Sequence, residues 1–276
     1  MVEKIIGLYG VPRSGTSWLG QIFDSCEELT FKFQPLFSYA FKNRIHPNSS
    51  RDDMEQFFDE LICREDSFLD QTENREKGIY PSFQKKDICK TQLAYKEANY
   101  LYSIPLLLNS IERIKMIAIV RNPYEVMESW VNAPSEFKPE WDIFEEWEFA
   151  PKKNAFCVEN FFGYYKWKEA LLLFCEMEKQ FPNNFKIIQY EELRENALEV
   201  VEEMYVFCGL RIGEQTRNFV KESQTSTVNS VYSVFRKKGD RPSRNMYLPN
   251  EIKAYIKEDL KSFKQSHRFG YHSMDI

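Results

Sequence analysis

The segment Gly10-Val-Pro-Arg-Ser-Gly15-Thr16-Ser17 carries two glycines five residues apart, a cation between them and two hydroxyls after them. An apolar run, Lys4 to Tyr9, precedes it. A helical pattern with Trp18, Leu19, Ile22 and Phe23 on one face follows. Strand, glycine loop and helix start together make an anion cradle, because backbone N–H groups converge there and the helix dipole favours negative charge. The spacing is that of the Walker A phosphate loop, but the lysine slot holds Thr16 and the nearest cation is Arg13. Triphosphate hydrolysis needs that lysine on the β- and γ-phosphates. The loop therefore points to an anionic nucleotide and away from ordinary ATP or GTP chemistry. Taken alone, it also fits a strand-to-helix turn that holds no ligand.

A second pair of residues has the same flavour. The apolar run Lys115–Val120 stops at Arg121-Asn122-Pro123, and Ser129 lies eight residues past Arg121, about two turns into the helix that Pro123 opens. An arginine and a hydroxyl flanking a helix start can hold a phosphate. A surface arginine and a helix serine are the plainer reading of the pair by itself. If the sheet is parallel, however, Arg121 leaves it on the same rim as the Gly10–Ser17 loop, and the two sets serve one site. The run Arg236-Lys237-Lys238-Gly239-Asp240-Arg241 is a third concentration of cations, equally readable as a solvated turn.

Elements must position these groups, and the chain is long enough to supply them. Its 276 residues allow a large α/β core. With 43% hydrophobic and 16% aromatic residues, disorder is excluded. A net charge of −5 excludes a general polyanion binder, so nucleic acid is no expected partner and any basic site is local. The six cysteines (26, 63, 89, 157, 175, 208) form no CxxC pair and the three histidines (46, 267, 272) do not cluster. Neither a metal site nor a disulfide framework is expected, and the thiols suit a reducing compartment. With no apolar leader and no run of 18 apolar residues, the expectation is a soluble cytoplasmic protein without a membrane span.

Along the chain the pattern predicts strands at Lys4–Tyr9, Leu29–Phe33, Asp87–Lys90, Lys115–Val120 and Phe185–Tyr190. Helices are expected around Asp52–Cys63, at Tyr95–Ser110 with Pro105 as a break or kink, and at Tyr124–Val131 and Val158–Gln180. Two more are expected at Glu191–Gly209 and from Pro249 to about Phe263. The stretches 71–86, 132–156 and 211–248 read as irregular. The aromatic residues of 132–156 suit an acceptor wall or a lid, or ordinary packing of a long connection. Alternation of strand and helix predicts an α/β fold with a central parallel sheet of about five strands flanked by helices in three layers. It forms one domain over 1–276, with ligands at the C-terminal strand ends.

On these residues the chain resembles a known family. PRSGTSWL at 12–19 resembles the 5′-phosphosulfate loop of sulfotransferases that use 3′-phosphoadenylyl sulfate (PAPS). IVRNPYEVMESW at 119–130 resembles their 3′-phosphate motif, with Arg121 and Ser129 on its two binding positions. FKIIQYEEL at 185–193 looks like their strand-plus-YEDL segment, and VFRKKGDR at 234–241 is similar to their late RKG loop. The resemblance implies a three-layer P-loop-like fold, PAPS as donor with 3′-phosphoadenosine 5′-phosphate (PAP) as product, and no metal. It implies nucleotide binding by Pro12, Arg13, Ser14, Gly15, Thr16, Ser17, Trp18, Arg121, Ser129, Tyr190, Arg236, Lys237, Lys238 and Gly239. Trp18 matches the aromatic that stacks on adenine, and is otherwise a core residue between helix and sheet. Lys90 in CKTQ matches the lysine of the cytosolic KTH motif; with Arg13 it is expected at the transferred group.

The general base departs from the family. Cytosolic members carry a histidine after KT, where this chain has Gln92; carbohydrate-directed members often carry glutamate-proline after the second strand, where it has Gln34-Pro35. Glutamine is no base near neutral pH. Gln34 and Gln92 are instead expected to orient the acceptor by hydrogen bonds. His46 leads the candidate bases by chemistry, ahead of Asp52, Asp53 and Glu55 in its segment, although a lone histidine is more often a surface or core residue. The function expected is sulfuryl transfer from PAPS to a hydroxyl of a small-molecule or carbohydrate acceptor. The alternatives are a P-loop small-molecule kinase, or a non-catalytic nucleotide-binding protein that kept the cradle and lost the base.

Overall fold

The computed structural model describes residues 1–85, 91–225, 234–235 and 246–273. Strand β1 (Lys4–Tyr9) runs into the glycine loop and α1 (Thr16–Asp24), and β2 (Thr30–Phe33) follows. Helices α2 (Arg51–Cys63) and α3 (Thr72–Glu76) precede β3 (Gln92–Glu97). Then come α4 (Ser103–Ser110), β4 (Ile114–Val120) and α5 (Pro123–Val131). Two single-turn helices, α6 (Ile143–Glu146) and α7 (Pro151–Asn154), lead to α8 (Tyr164–Gln180) and β5 (Phe185–Gln189). The chain continues through α9 (Tyr190–Glu195), α10 (Ala197–Phe207), α11 (Glu214–Thr225), α12 (Asn250–Ser262) and α13 (Lys264–His267).

All strand pairs are parallel, in the order β2-β3-β1-β4-β5. This is the five-stranded α/β sheet that the alternation of elements predicts. In register, Tyr9 lies beside Glu97 on one side and Ala118 on the other, so β1, β3 and β4 end on one rim. The chain leaves β1 toward β2 at one edge and leaves β4 toward β5 at the other. The two connections diverge, which opens a crevice above the C-terminal ends of β1 and β4.

The strands are apolar on both faces because helices cover both. Ile5 and Tyr9 of β1 share one face with Leu93, Tyr95, Ile114, Met116 and Val120, under α2, α4, α5, α8 and α12. Ile6 and Leu8 point the other way and join Ala94, Ile117, Ile119 and Ile188 under α1, α10 and α11. Helix α2 starts on a capping box between Ser50 and Asp53. No helix among the described residues is long and apolar enough to cross a membrane.

The strand expected at Asp87–Lys90 lies outside the described residues. Among those described, β3 is Gln92–Glu97, where a helix from Tyr95 is expected, and the following helix begins at Ser103. Two adjacent charges, Lys96 and Glu97, disguise β3, yet both are buried, at 4% and 0% exposure. Pro105 causes no break, because it sits in the first turn of α4, where its missing N–H has no intrahelical partner to lose. Asn196 divides the expected 191–209 helix into α9 and α10. Gly163 delays α8: its φ is +94°, and a Cβ there would lie 2.7 Å from the Glu148 carbonyl oxygen. Helix α11 lies in a stretch read as irregular, since its polar sequence buries only Thr216, Phe219, Val220 and Ser223.

Candidate functional site

The loop between β1 and α1 is shaped by close approach. A Cβ on Gly10 would lie 2.7 Å from Ser14 Oγ and 2.8 Å from the Ile119 carbonyl oxygen. Gly15, the α1 N-cap, has φ +99°, and a Cβ there would meet the Tyr190 ring at 2.5 Å. Both positions therefore need glycine. Ser14 is fully buried; its N–H and its hydroxyl both donate to the Val11 carbonyl, at 3.2 and 2.6 Å. Ser14 thus holds the shape of the turn. The N–H groups of Thr16, Ser17 and Trp18 have no acceptor inside α1, and they sit at the positive end of its dipole, on the rim. Pro12, within the loop, is buried.

Arg121 leaves the end of β4 and reaches this loop. Its guanidinium donates to the Arg13 carbonyl at 3.0 Å, pairs with Glu125, and lies 4.3 Å from the centre of the Tyr190 ring. It is only 9% exposed. The bond from Arg121 helps to hold Arg13 at φ 71°, a left-handed conformation that is unfavourable for a non-glycine residue. Arg13 Nε in turn donates to Ser129 Oγ at 3.1 Å. One turn of side chains thus links the loop, the end of β4, α5 and, through Tyr190, the end of β5. The backbone of Arg121 is held from behind: its carbonyl accepts from Trp167 Nε1 at 2.9 Å. Glu191 accepts from the Asn122 N–H at 2.9 Å and from the Tyr271 hydroxyl at 3.0 Å.

The other candidates fare differently. Trp18 is buried between α1 and α11, its indole N–H on Ser223 Oγ at 3.0 Å and its ring edge-on to Tyr190. Gln34 ends β2 on the rim, at φ 43°, with its N–H on the Lys96 carbonyl. Gln92 opens β3 beside Lys4, about 17 Å of strand away from that rim. The match at CKTQ puts its KT pair at a strand end, whereas here a strand begins, so Gln92 is not brought to Arg13. His46 is exposed in the turn before α2, its Nδ1 accepting from the Asn48 N–H at 3.2 Å and its own N–H on Ser49. The structure does not bring it to the loop either. Lys90 and the run Arg236, Lys237, Lys238 and Gly239 lie outside the described residues.

Three charged residues that sequence reading missed complete the rim. Lys96 runs along the α1 face, its ammonium 4.5 Å from the centre of the Phe33 ring. Burial pushes it down to about 8, Glu97 and Glu136 pull it up, and Arg13 pushes it down further. Glu97 is fully buried; one carboxyl oxygen accepts from the Leu36 N–H at 2.6 Å and the other has no hydrogen-bond partner. Burial pushes its carboxyl up to about 8, against the Leu36 bond and Lys96. Glu136 Oε1 stands 3.8 Å from the Arg13 guanidinium, and its buried Oε2 has no hydrogen-bond partner. The sequence signal for Lys96 and Glu97 is a pair of charges closing the apolar run LAYKE. Glu136 has none, because only the fold carries its turn back to Arg13.

The arrangement offers donors suited to an anion: first-turn N–H groups, two arginines, a hydroxyl and a buried ammonium meet above the C-terminal ends of β1, β3 and β4. Comparison with known proteins agrees with this fold. A mouse sulfotransferase complexed with PAP superposes with a TM-score of 0.57 at 15% identity, covering 96% of this chain and 84% of that one. A sulfotransferase from Alicyclobacillus acidocaldarius gives 0.53 at 12%, covering 100% and 98%. A retinol dehydratase in complex with androsterone and inactive cofactor PAP gives 0.50 at 12%, covering 100% and 83%. No curated protein sequence matches the chain. Residues 4–270, almost its whole length, match the sulfotransferase domain family, to which this protein therefore belongs.

Proposed function

We propose that the protein transfers a sulfuryl group from PAPS to a hydroxyl of a small molecule, acting as one domain over 1–276. The observation that carries this reading is the junction of Arg121, Arg13 and Ser129, which puts two cationic anchors at one crevice. A nucleotide with phosphate at both its 5′ and 3′ sides fits that donor set, and the space left by Gly10 and Gly15 suits close backbone approach. PAPS, when bound, supplies an activated sulfuryl group on its 5′-phosphate.

In this reading the N–H groups of Thr16 to Trp18, with Arg13, hold the 5′ side, and Arg121 and Ser129 hold the 3′ side, joined by Arg236 to Gly239. Tyr190 backs the Arg121 guanidinium and closes over Gly15. Lys96 takes the part assigned to Lys90. It is buried on the rim and electrostatically coupled to Arg13, so it is placed to stabilise charge that builds on the leaving phosphate. Gln34 orients the acceptor. The acceptor is a small hydroxylic compound such as a phenol, an alcohol or a sugar; the androsterone held by one structural neighbour is of that kind. Thr16 in the lysine slot speaks against a kinase on the same core.

Calorimetric titration tests the reading. Binding of PAP without any need for magnesium is expected; preference for ATP with magnesium would overturn it. Transfer of labelled sulfate from PAPS then distinguishes an enzyme from a protein that only holds the nucleotide.

A further inference from the structure

We propose that Glu136 is the general base of this sulfotransferase. The inference rests on the donor reading above and concerns the gap left by glutamine at both usual positions of the base.

Glu136 lies in the connection between α5 and α6. Its N–H bonds to the Ala133 carbonyl, and its own carbonyl accepts from Trp130 Nε1 at 3.2 Å, so the backbone of this turn is fixed to α5. Phe137, next in sequence, packs edge-on against Trp130 and Trp141, which anchors the turn that carries Glu136. The carboxylate is aimed at the anion site: Oε1 is 3.8 Å from the Arg13 guanidinium, and its charge acts on Lys96 and on Lys153. The second oxygen is buried without a hydrogen-bond partner. A buried carboxylate oxygen without a donor is costly, and a ligand hydroxyl would satisfy it. The competing carboxylate, Glu97, is fully enclosed and holds the Leu36 N–H, and His46 is tied up in an exposed turn.

The arrangement also shows how the carboxylate is released to act on an acceptor. Without a ligand, the Arg13 guanidinium lies against Glu136. An anion bound at Arg13 competes for the guanidinium and frees the carboxylate to accept a hydrogen bond from the acceptor hydroxyl. Glu136 then takes the proton of the acceptor hydroxyl as that oxygen forms its bond to sulfur. The bond from sulfur to the phosphate oxygen breaks, its electron pair stays on the phosphate, and Arg13 and Lys96 meet the new charge.

The test uses the full-length protein and Glu136→Gln, with Glu136→Asp as a second variant, and begins with PAP calorimetry. Removing a negative charge that competes for Arg13 is expected to tighten PAP by about fivefold in Glu136→Gln. PAPS-dependent sulfation is then followed with 4-methylphenol, which must lose a proton, and 4-nitrophenol at pH 8, which is already largely ionised. Glu136→Gln is expected to lose about 10²- to 10⁴-fold with the first and only a few-fold with the second, and Glu136→Asp to recover part of the loss. Equal losses with both phenols, or PAP affinity that falls in Glu136→Gln, overturn the role of Glu136 alone. Failure of the unmodified protein to bind PAP overturns the donor reading and this inference together.

Discussion

Glu97 gives the protein a pH-dependent stability that one substitution should remove. Its carboxyl is fully buried at the end of β3, and burial pushes it from the ordinary 4.5 up to about 8. Below about pH 4 the group is neutral in the folded and the unfolded chain, and it makes no pH-dependent contribution. From there to about pH 8 the unfolded chain releases the proton while the folded chain keeps it, so stability falls as pH rises. The loss amounts to about 3 kcal/mol at pH 7 and approaches about 5 kcal/mol above pH 9. Glu97→Gln retains an oxygen to accept from the Leu36 N–H and cannot ionise. Urea denaturation of both proteins at pH 5, 7 and 8.5 is the assay. The two should be nearly equal at pH 5. The variant should be more stable by about 3 kcal/mol at pH 7, roughly 5 °C in melting temperature, and by more at pH 8.5. A difference that does not change between pH 5 and 8.5 would refute the assignment.

Other outcomes follow from the same geometry. Arg121→Ala should weaken PAP by about 2–5 kcal/mol in calorimetry, because it removes a nearly buried cation that also supports the Arg13 carbonyl. Gly15→Ala should abolish PAP binding in the same assay, since the added methyl meets the Tyr190 ring at a backbone angle that L-residues avoid. Asp24→Ala should lower unfolding free energy by about 3–5 kcal/mol in urea melts. It strips the partner from Arg75 and Lys85 at a carboxylate that is 1% exposed.

The parts of the site that were legible in the sequence are those whose chemistry depends on local spacing. Gly10 and Gly15 announce the loop because backbone approach needs them, and Arg121 with Pro123 marks the end of a strand and the start of a helix. The parallel sheet follows from apolar runs such as KMIAIV, buried on both faces. What stayed hidden depends on tertiary placement. Buried Lys96 and Glu97 made the strand Gln92–Glu97 look like a helix start, and attention went to Gln92, which lies at its far end from the rim. Glu136 sits 123 residues from Arg13 in the sequence, and no local pattern connects them. Helix α11 was missed because its contact face is narrow.

The central place of β1 has a consequence for how the protein folds. Its neighbours in the sheet, β3 and β4, are separated from it by about 90 and about 110 residues of chain. The glycine loop leaves the ribosome well before its packing partners, Ile119 and Tyr190. Loop closure over such spans makes assembly slow. A nascent chain that stops before β4 therefore exposes an apolar β1 with no binding site at its end. In the proposed reading, nucleotide binding can register only after the two halves of the sheet have met, so PAP retention would be a late marker of productive folding.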